Sequence, residues 1–125
     1  MTTPDERLRC LIWGSELLGE IEQNELLPSE QRSSAAGLQS LYPSPDELRQ
    51  LVRNRAKAMS LEHAASIEAA RDLFESVRCG GAEDPALRRF VEFTLRHFPT
   101  KGLATTWVRG FFLSVDDWLA EANSR

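Results

Sequence analysis

The chain has 125 residues, 42% of them apolar and 27% charged, with a net charge of −4. That length suits one domain, whose folding hides roughly two-thirds of the unfolded chain's surface, so a core forms without staples. The acidic balance argues against bulk attraction to nucleic acid or an anionic membrane. No apolar run approaches the ~20 residues that span a bilayer.

The acid is evenly spread, and neither end carries a charged tail. Two cysteines, Cys10 and Cys79, lie in helical or helix-end sequence and read as small buried or half-buried thiols rather than a disulfide framework. The opening holds Asp5 and Glu6 and no apolar stretch of signal length, which by default places the chain in the cytoplasm.

Helix starts are legible along the chain. Thr3-Pro4-Asp5-Glu6 reads as an N-cap, a Pro at the first helical position and a capping-box Glu. The helix over 4–24 has two apolar stripes. Leu8, Leu11, Ile12 and Leu18 form one; Trp13, Leu17 and Ile21 form the other. Such a helix belongs at the centre of a bundle, the alternative being that its second stripe meets a partner. Leu27-Pro28-Ser29-Glu30 starts a helix over 28–41, ended by Tyr42-Pro43.

Ser44-Pro45-Asp46-Glu47 repeats the opening grammar and starts a helix over 45–58. Arg49, Arg53 and Lys57, spaced by four, form a basic stripe on it, with Arg55 nearby. A solvated helix face accounts for the stripe; gripping an acidic partner is the functional reading. The next helix, over 60–78, begins after a break near Met59-Ser60, although no Gly or Pro forbids one long helix here. Cys79-Gly80-Gly81 stops it.

Asp84-Pro85 starts a helix over 85–98 with a regular apolar stripe of Leu87, Phe90, Val91, Thr94, Leu95 and Phe98. Short helices over 101–109 and 115–123 follow, the second capped by Ser114. Gly110-Phe111-Phe112-Leu113 is the sole strand candidate, with nothing to pair with. Trp107, Phe111, Phe112 and Trp118 cluster here, either closing over the core or, with Arg109, presenting an exposed aromatic anchor.

The second half echoes the first. At an offset of 56, Tyr42-Pro43-Ser44 falls on Phe98-Pro99-Thr100, and Leu17, Leu18 and Ile21 fall on Leu73, Phe74 and Val77. The expected fold is therefore all-α: a compact bundle of six or seven short helices. It divides as two similar three-helix units, 1–59 and 60–113, plus a C-terminal helix over 114–125.

No motif carries a reaction. Cys-x-x-Cys, His-x-x-x-His, Gly-x-Ser-x-Gly and a phosphate-cradling glycine loop are all missing from the sequence. The expectation is no catalytic residues, no metal and no cofactor. Met1-Thr2-Thr3-Pro4-Asp5-Glu6-Arg7-Leu8-Arg9, with Leu41-Tyr42-Pro43 and Leu95-Arg96-His97-Phe98-Pro99 later, resembles an uncharacterised family of short proteobacterial proteins. That resemblance implies a bacterial origin and supplies no activity or site.

The functional expectation is a non-enzymatic interaction protein of bacterial or phage origin, of immunity or inhibitor type. Its candidate partner-binding residues are Arg49, Arg53, Lys57, Trp107, Arg109 and Phe111. The partner is a protein, with a homodimer left open, and nucleic acid and membrane are disfavoured. The alternatives are a helical DNA-binding regulator using residues 49–57, and a small-molecule sensor or enzyme with an apolar pocket between the units.

Overall fold

Most of the helices start where a side chain satisfies the first free backbone N–H groups. The computed structural model describes residues 4–110 and 114–121. Seven helices run through them: α1 (Pro4–Gln23), α2 (Ser29–Gln39), α3 (Pro45–Arg53), α4 (Leu61–Cys79), α5 (Pro85–His97), α6 (Leu103–Thr106) and α7 (Val115–Glu121). No strand lies among the described residues. Residues 111–113 of the strand candidate, Phe111 among them, fall outside the described residues, as do residues 1–3 and 122–125; Gly110 lies in a turn.

The local grammar holds at most starts. Ser44 Oγ accepts the Glu47 amide at 3.1 Å, and Glu47 returns the bond to the Ser44 amide at 3.0 Å. Ser114 and Asp117 make the same reciprocal pair at α7. Asp84 accepts from the Ala86 and Leu87 amides, and Ser60 from the His63 amide. Pro28 sits at the N-cap position instead of the first helical one, so α2 begins one residue later than expected.

Two helices end or start against expectation. α3 stops at Arg53, not near 58. Arg55 takes a left-handed φ of 49°, its amide bonds to the Val52 carbonyl, and the Ala56 amide bonds to Leu51. This is the αL helix stop that glycine usually occupies, here made by an arginine. The break between α3 and α4 is therefore real, and it spans 54–60. α6 shrinks to one turn because the Glu68 carboxylate of α4 reaches across. It accepts the Gly102 amide at 2.9 Å and the Thr105 amide at 3.1 Å, which pins a helix start at Leu103.

α1 is central, packing on α2, α3, α5 and α7. Leu11, Leu17, Leu18 and Ile21 are fully buried, so both of its stripes face protein. α4 packs on α2, α5 and α6. Exchanging α1, α2, α3 for α4, α5, α6 leaves this set of principal contacts unchanged; only the contacts of α7 break it.

The two aromatic–proline corners meet at one glycine. Tyr42 Oη donates to the Leu11 carbonyl at 2.6 Å, and the Phe98 ring packs edge-on to Phe74 at 5.5 Å. A Cβ on Gly14 would overlap the Tyr42 hydroxyl and touch the Phe98 ring, so α1 needs glycine there to admit both corners. Burial drives the Tyr42 phenol well above its ordinary pKa, with neighbouring Cys10 adding to the shift. Cys10 itself is buried and donates to the Arg7 carbonyl. Desolvation pushes its thiol up to about 12, which makes it inert at neutral pH. Cys79, expected to be at least half-buried, is exposed at the end of α4.

Candidate functional site: an aromatic groove rimmed by arginines

The six residues singled out from the sequence do not form one surface. Trp107 is 0% exposed. Its ring tilts against Trp118 at 5.2 Å, and the Arg7 guanidinium lies 5.0 Å above Trp118 while donating to the Trp118 carbonyl. The exposed-anchor reading of Trp107 therefore gives way to the core-closing one. Its indole Nε1 has no acceptor among the described residues, an arrangement that costs about 1–3 kcal/mol. Arg109 is exposed, and Phe111 lies outside the described residues.

The basic stripe also breaks. Arg49 pairs with Asp46 of its own helix at 3.4 Å, and Arg53 is exposed on the last turn of α3. Lys57 lies beyond the helix, because the left-handed turn at Arg55 redirects the chain. Lys57 Nζ and Arg55 Nε approach Asp116 of α7 at 3.8 and 4.0 Å. The linker over 54–60 is held by α7 and by the segment after α6: the Met59 amide bonds to Trp107, and the Val115 amide to Lys57. Gly110 has φ +70°, and a Cβ there would press on the Lys57 backbone. These cations thus help bind α7 to the linker.

A different face combines aromatic area with unpaired charge. α1 and α5 lie side by side and antiparallel. Glu6 meets His97 at 3.4 Å at one end, and Asn24 donates to Asp84 at 3.1 Å at the other. α5 turns Leu87, Val91, Thr94 and Leu95 into the core. The opposite side carries Arg88, Arg89, Glu92, Phe93 and Arg96. Phe93 is 49% exposed, a large ring on what is otherwise a polar face.

Two open hollows flank that ring. One, of about 360 Å³, is lined by Pro85, Arg88, Arg89, Glu92, Phe93 and Arg96. The other, of about 340 Å³, lies toward α1 and is lined by Trp13, Ala86, Arg89, Phe90 and Phe93. Arg89 and Phe93 belong to both, so the hollows adjoin as one shallow groove along the outer face of α5 that reaches α1 at Trp13. The Arg96 guanidinium sits 5.3 Å from the Phe93 ring centre. Among the described residues no carboxylate forms an ion pair with Arg88, Arg89 or Arg96. α5 carries three arginines against one glutamate, a local excess of positive charge on an acidic protein.

The sequence held a signal for this groove. Arg88, Arg89, Glu92, Phe93 and Arg96 recur at spacings of three and four on the side opposite the apolar stripe. The aromatic lying outside that stripe is the residue that marks the site. Trp13, the half-buried member of the second stripe of α1, is the other.

Among the described residues no three His, Cys, Asp or Glu side chains converge as metal ligands, and no helix is long and apolar enough to cross a membrane. Cys10 and His97 line neither hollow. No protein-family model matches the chain, and no curated protein or solved structure matches it.

Proposed function

We propose that this protein is a non-enzymatic interaction module of bacterial origin, which masks a partner protein through the groove along the outer face of α5, beside Trp13 of α1. The observation that carries the reading is Phe93, half exposed beside Trp13 and flanked by three arginines with no ion pair among the described residues. Aromatic and arginine side chains are enriched at the hot spots of protein interfaces, the aromatics because they bury large areas with few rotors and arginine because its planar fork makes several directed hydrogen bonds. The helices beneath them are packed into the core, so binding needs little ordering of backbone. The resemblance of the opening residues to short proteobacterial proteins supports the bacterial origin. An immunity-type or inhibitor-type role suits a small acidic protein whose binding surface is charged opposite to the rest of the molecule.

The test is affinity capture from bacterial cells expressing the tagged protein, read by mass spectrometry. Wild type is expected to retain a partner that the Phe93→Asp, Arg89→Glu double variant loses, with both proteins melting at similar temperatures. A folded double variant that keeps the same partner contradicts the reading.

A further inference from the structure

Resting on that reading, we infer that the occupant of the groove is an acidic amphipathic helix of the partner, with its carboxylates on Arg88, Arg89 and Arg96 and its apolar side on Trp13 and Phe93. Three features of the face specify this chemistry. The first is charge. The three guanidiniums are exposed and carry no ion pair among the described residues. Elsewhere several arginines do: Arg49 with Asp46, Arg55 with Asp116, Arg71 and Arg78 with Glu75. A partner that supplies carboxylates forms pairs the protein itself leaves unmade, and like charge in that place is repelled.

The second is shape. The hollow with Arg88 and Arg96 lies on α5 alone and the one with Trp13 lies between α1 and α5; they adjoin at Arg89 and Phe93, and the side-chain ridge of a third helix laid along α5 would reach both. The described residues contain no strand whose edge could pair with an extended peptide. The third is spacing. Arg89 and Arg96 are seven residues apart on one helix, which sets them about 10 Å apart along the axis. Carboxylates two turns apart on a partner helix match that interval. Between them lies the Phe93 ring, where the partner would place leucine or an aromatic residue.

Nucleic acid satisfies these features less well. Glu92 sits among the arginines and would face a phosphate backbone, and the exposed floor is apolar. A second copy of the chain would have to bring an acidic helix of its own.

The experiment titrates 15N-labelled full-length protein with a synthetic helical peptide of about 18 residues, long enough to hold helix on binding. One stripe is Glu, the adjoining stripe Leu, and the rest Ala. Control peptides carry Lys for Glu, or Ser for Leu; a random-sequence DNA duplex is the third control. Tryptophan indole N–H signals report position, since Trp13 lies in the groove while Trp107 and Trp118 are buried.

The Glu/Leu peptide is expected to move the Trp13 signal and leave Trp107 unmoved. Both control peptides and the DNA duplex should bind about tenfold or more weakly, and Arg89→Glu should lose a similar factor. Binding should weaken as salt rises from about 50 to about 500 mM. Equal binding of the Lys peptide, movement away from Trp13, tighter binding of the DNA, or self-association through this face in sedimentation each overturns the inference. So does silence of the Glu/Leu peptide. If the Phe93→Asp, Arg89→Glu variant still loses a cellular partner in that case, the interaction reading stands and only its acidic occupant falls. If no partner is lost either, both fall.

Discussion

Two arginine–aromatic pairs occupy opposite conditions in this molecule. Arg7 lies over Trp118, donates to its carbonyl and helps seal Trp107 beneath α7. Arg96 lies over Phe93 at nearly the same distance, on a surface where its charge meets no carboxylate among the described residues. Residue type is alike in the two places, and solvent access is not. In the first, the aromatic area is already used to attach the last helix; in the second it remains available to another molecule. Burial, rather than the presence of Trp and Arg, separates architecture from a binding surface.

The largest effect that could break this contrast comes from the rings. Trp107→Ala should destabilise the protein by about 3–5 kcal/mol, the usual cost of emptying a buried aromatic site. Phe93→Ala should change stability by under about 0.5 kcal/mol, as surface substitutions do. Urea unfolding of the two variants measures both. Comparable losses would mean that the groove is part of the core.

The arginines sharpen the comparison at a smaller scale. Arg7→Ala loses a stacked cation and a hydrogen bond to the Trp118 carbonyl, and should cost about 1–2 kcal/mol. Arg96→Ala loses only a solvated contact and should cost under about 0.5 kcal/mol. Equal melting shifts for the two would remove the distinction between closed and open pairs.

Acid provides the most local probe. The Asp117 carboxyl is held below its ordinary pKa by the Ser114 amide and then by the Ser114 hydroxyl. The Glu47 carboxyl is lowered first by the Ser44 amide, then with help from His63 and the Ser44 hydroxyl. A carboxylate whose folded pKa is depressed contributes stability above its unfolded pKa and loses it as pH falls through the folded value. Acidification through the carboxylate range should therefore fray the starts of α7 and α3. The indole signal of Trp118 should shift as it does so, and Asp117→Asn should remove the α7 part of this acid response.

Much of the helical order was legible because capping is local. Ser44 with Glu47, Ser60, Asp84 with Pro85, and Ser114 with Asp117 all reach backbone groups within three residues. What was illegible depends on distant groups. The end of α3 rests on Arg55 in a glycine-like conformation, in a linker bonded to Trp107 and Val115. The short α6 rests on Glu68, more than thirty residues earlier in the chain. The basic stripe dissolved for that reason: its spacing of four has meaning only on a helix that continues to Lys57. The aromatic cluster near Trp107 drew attention through its density, but density in sequence says nothing about which rings are covered. Phe93 stood alone, and its position opposite Leu87, Val91 and Leu95 was the better indicator.

The echo between the halves acquires physical content at Gly14, where Tyr42 and Phe98 converge. The two corners are secured differently. Tyr42 uses its hydroxyl on Leu11, whereas the Pro99 carbonyl accepts from Arg71 at 3.0 Å. The groove is another departure from equivalence: at the offset of 56 Arg32 of α2 answers Arg88, but Ser33, Gly37 and Ser40 stand where α5 has Arg89, Phe93 and Arg96.

Site-specific photo-crosslinking in living bacteria tests the central claim most directly, with the reactive side chain placed at position 93 in one protein and at position 109 in another. Both positions are exposed, and they represent the groove and the segment beside the buried tryptophans. The account predicts a discrete protein adduct from position 93 and none from position 109. An adduct from position 109 with none from position 93 would contradict it and return the binding surface to the C-terminal segment.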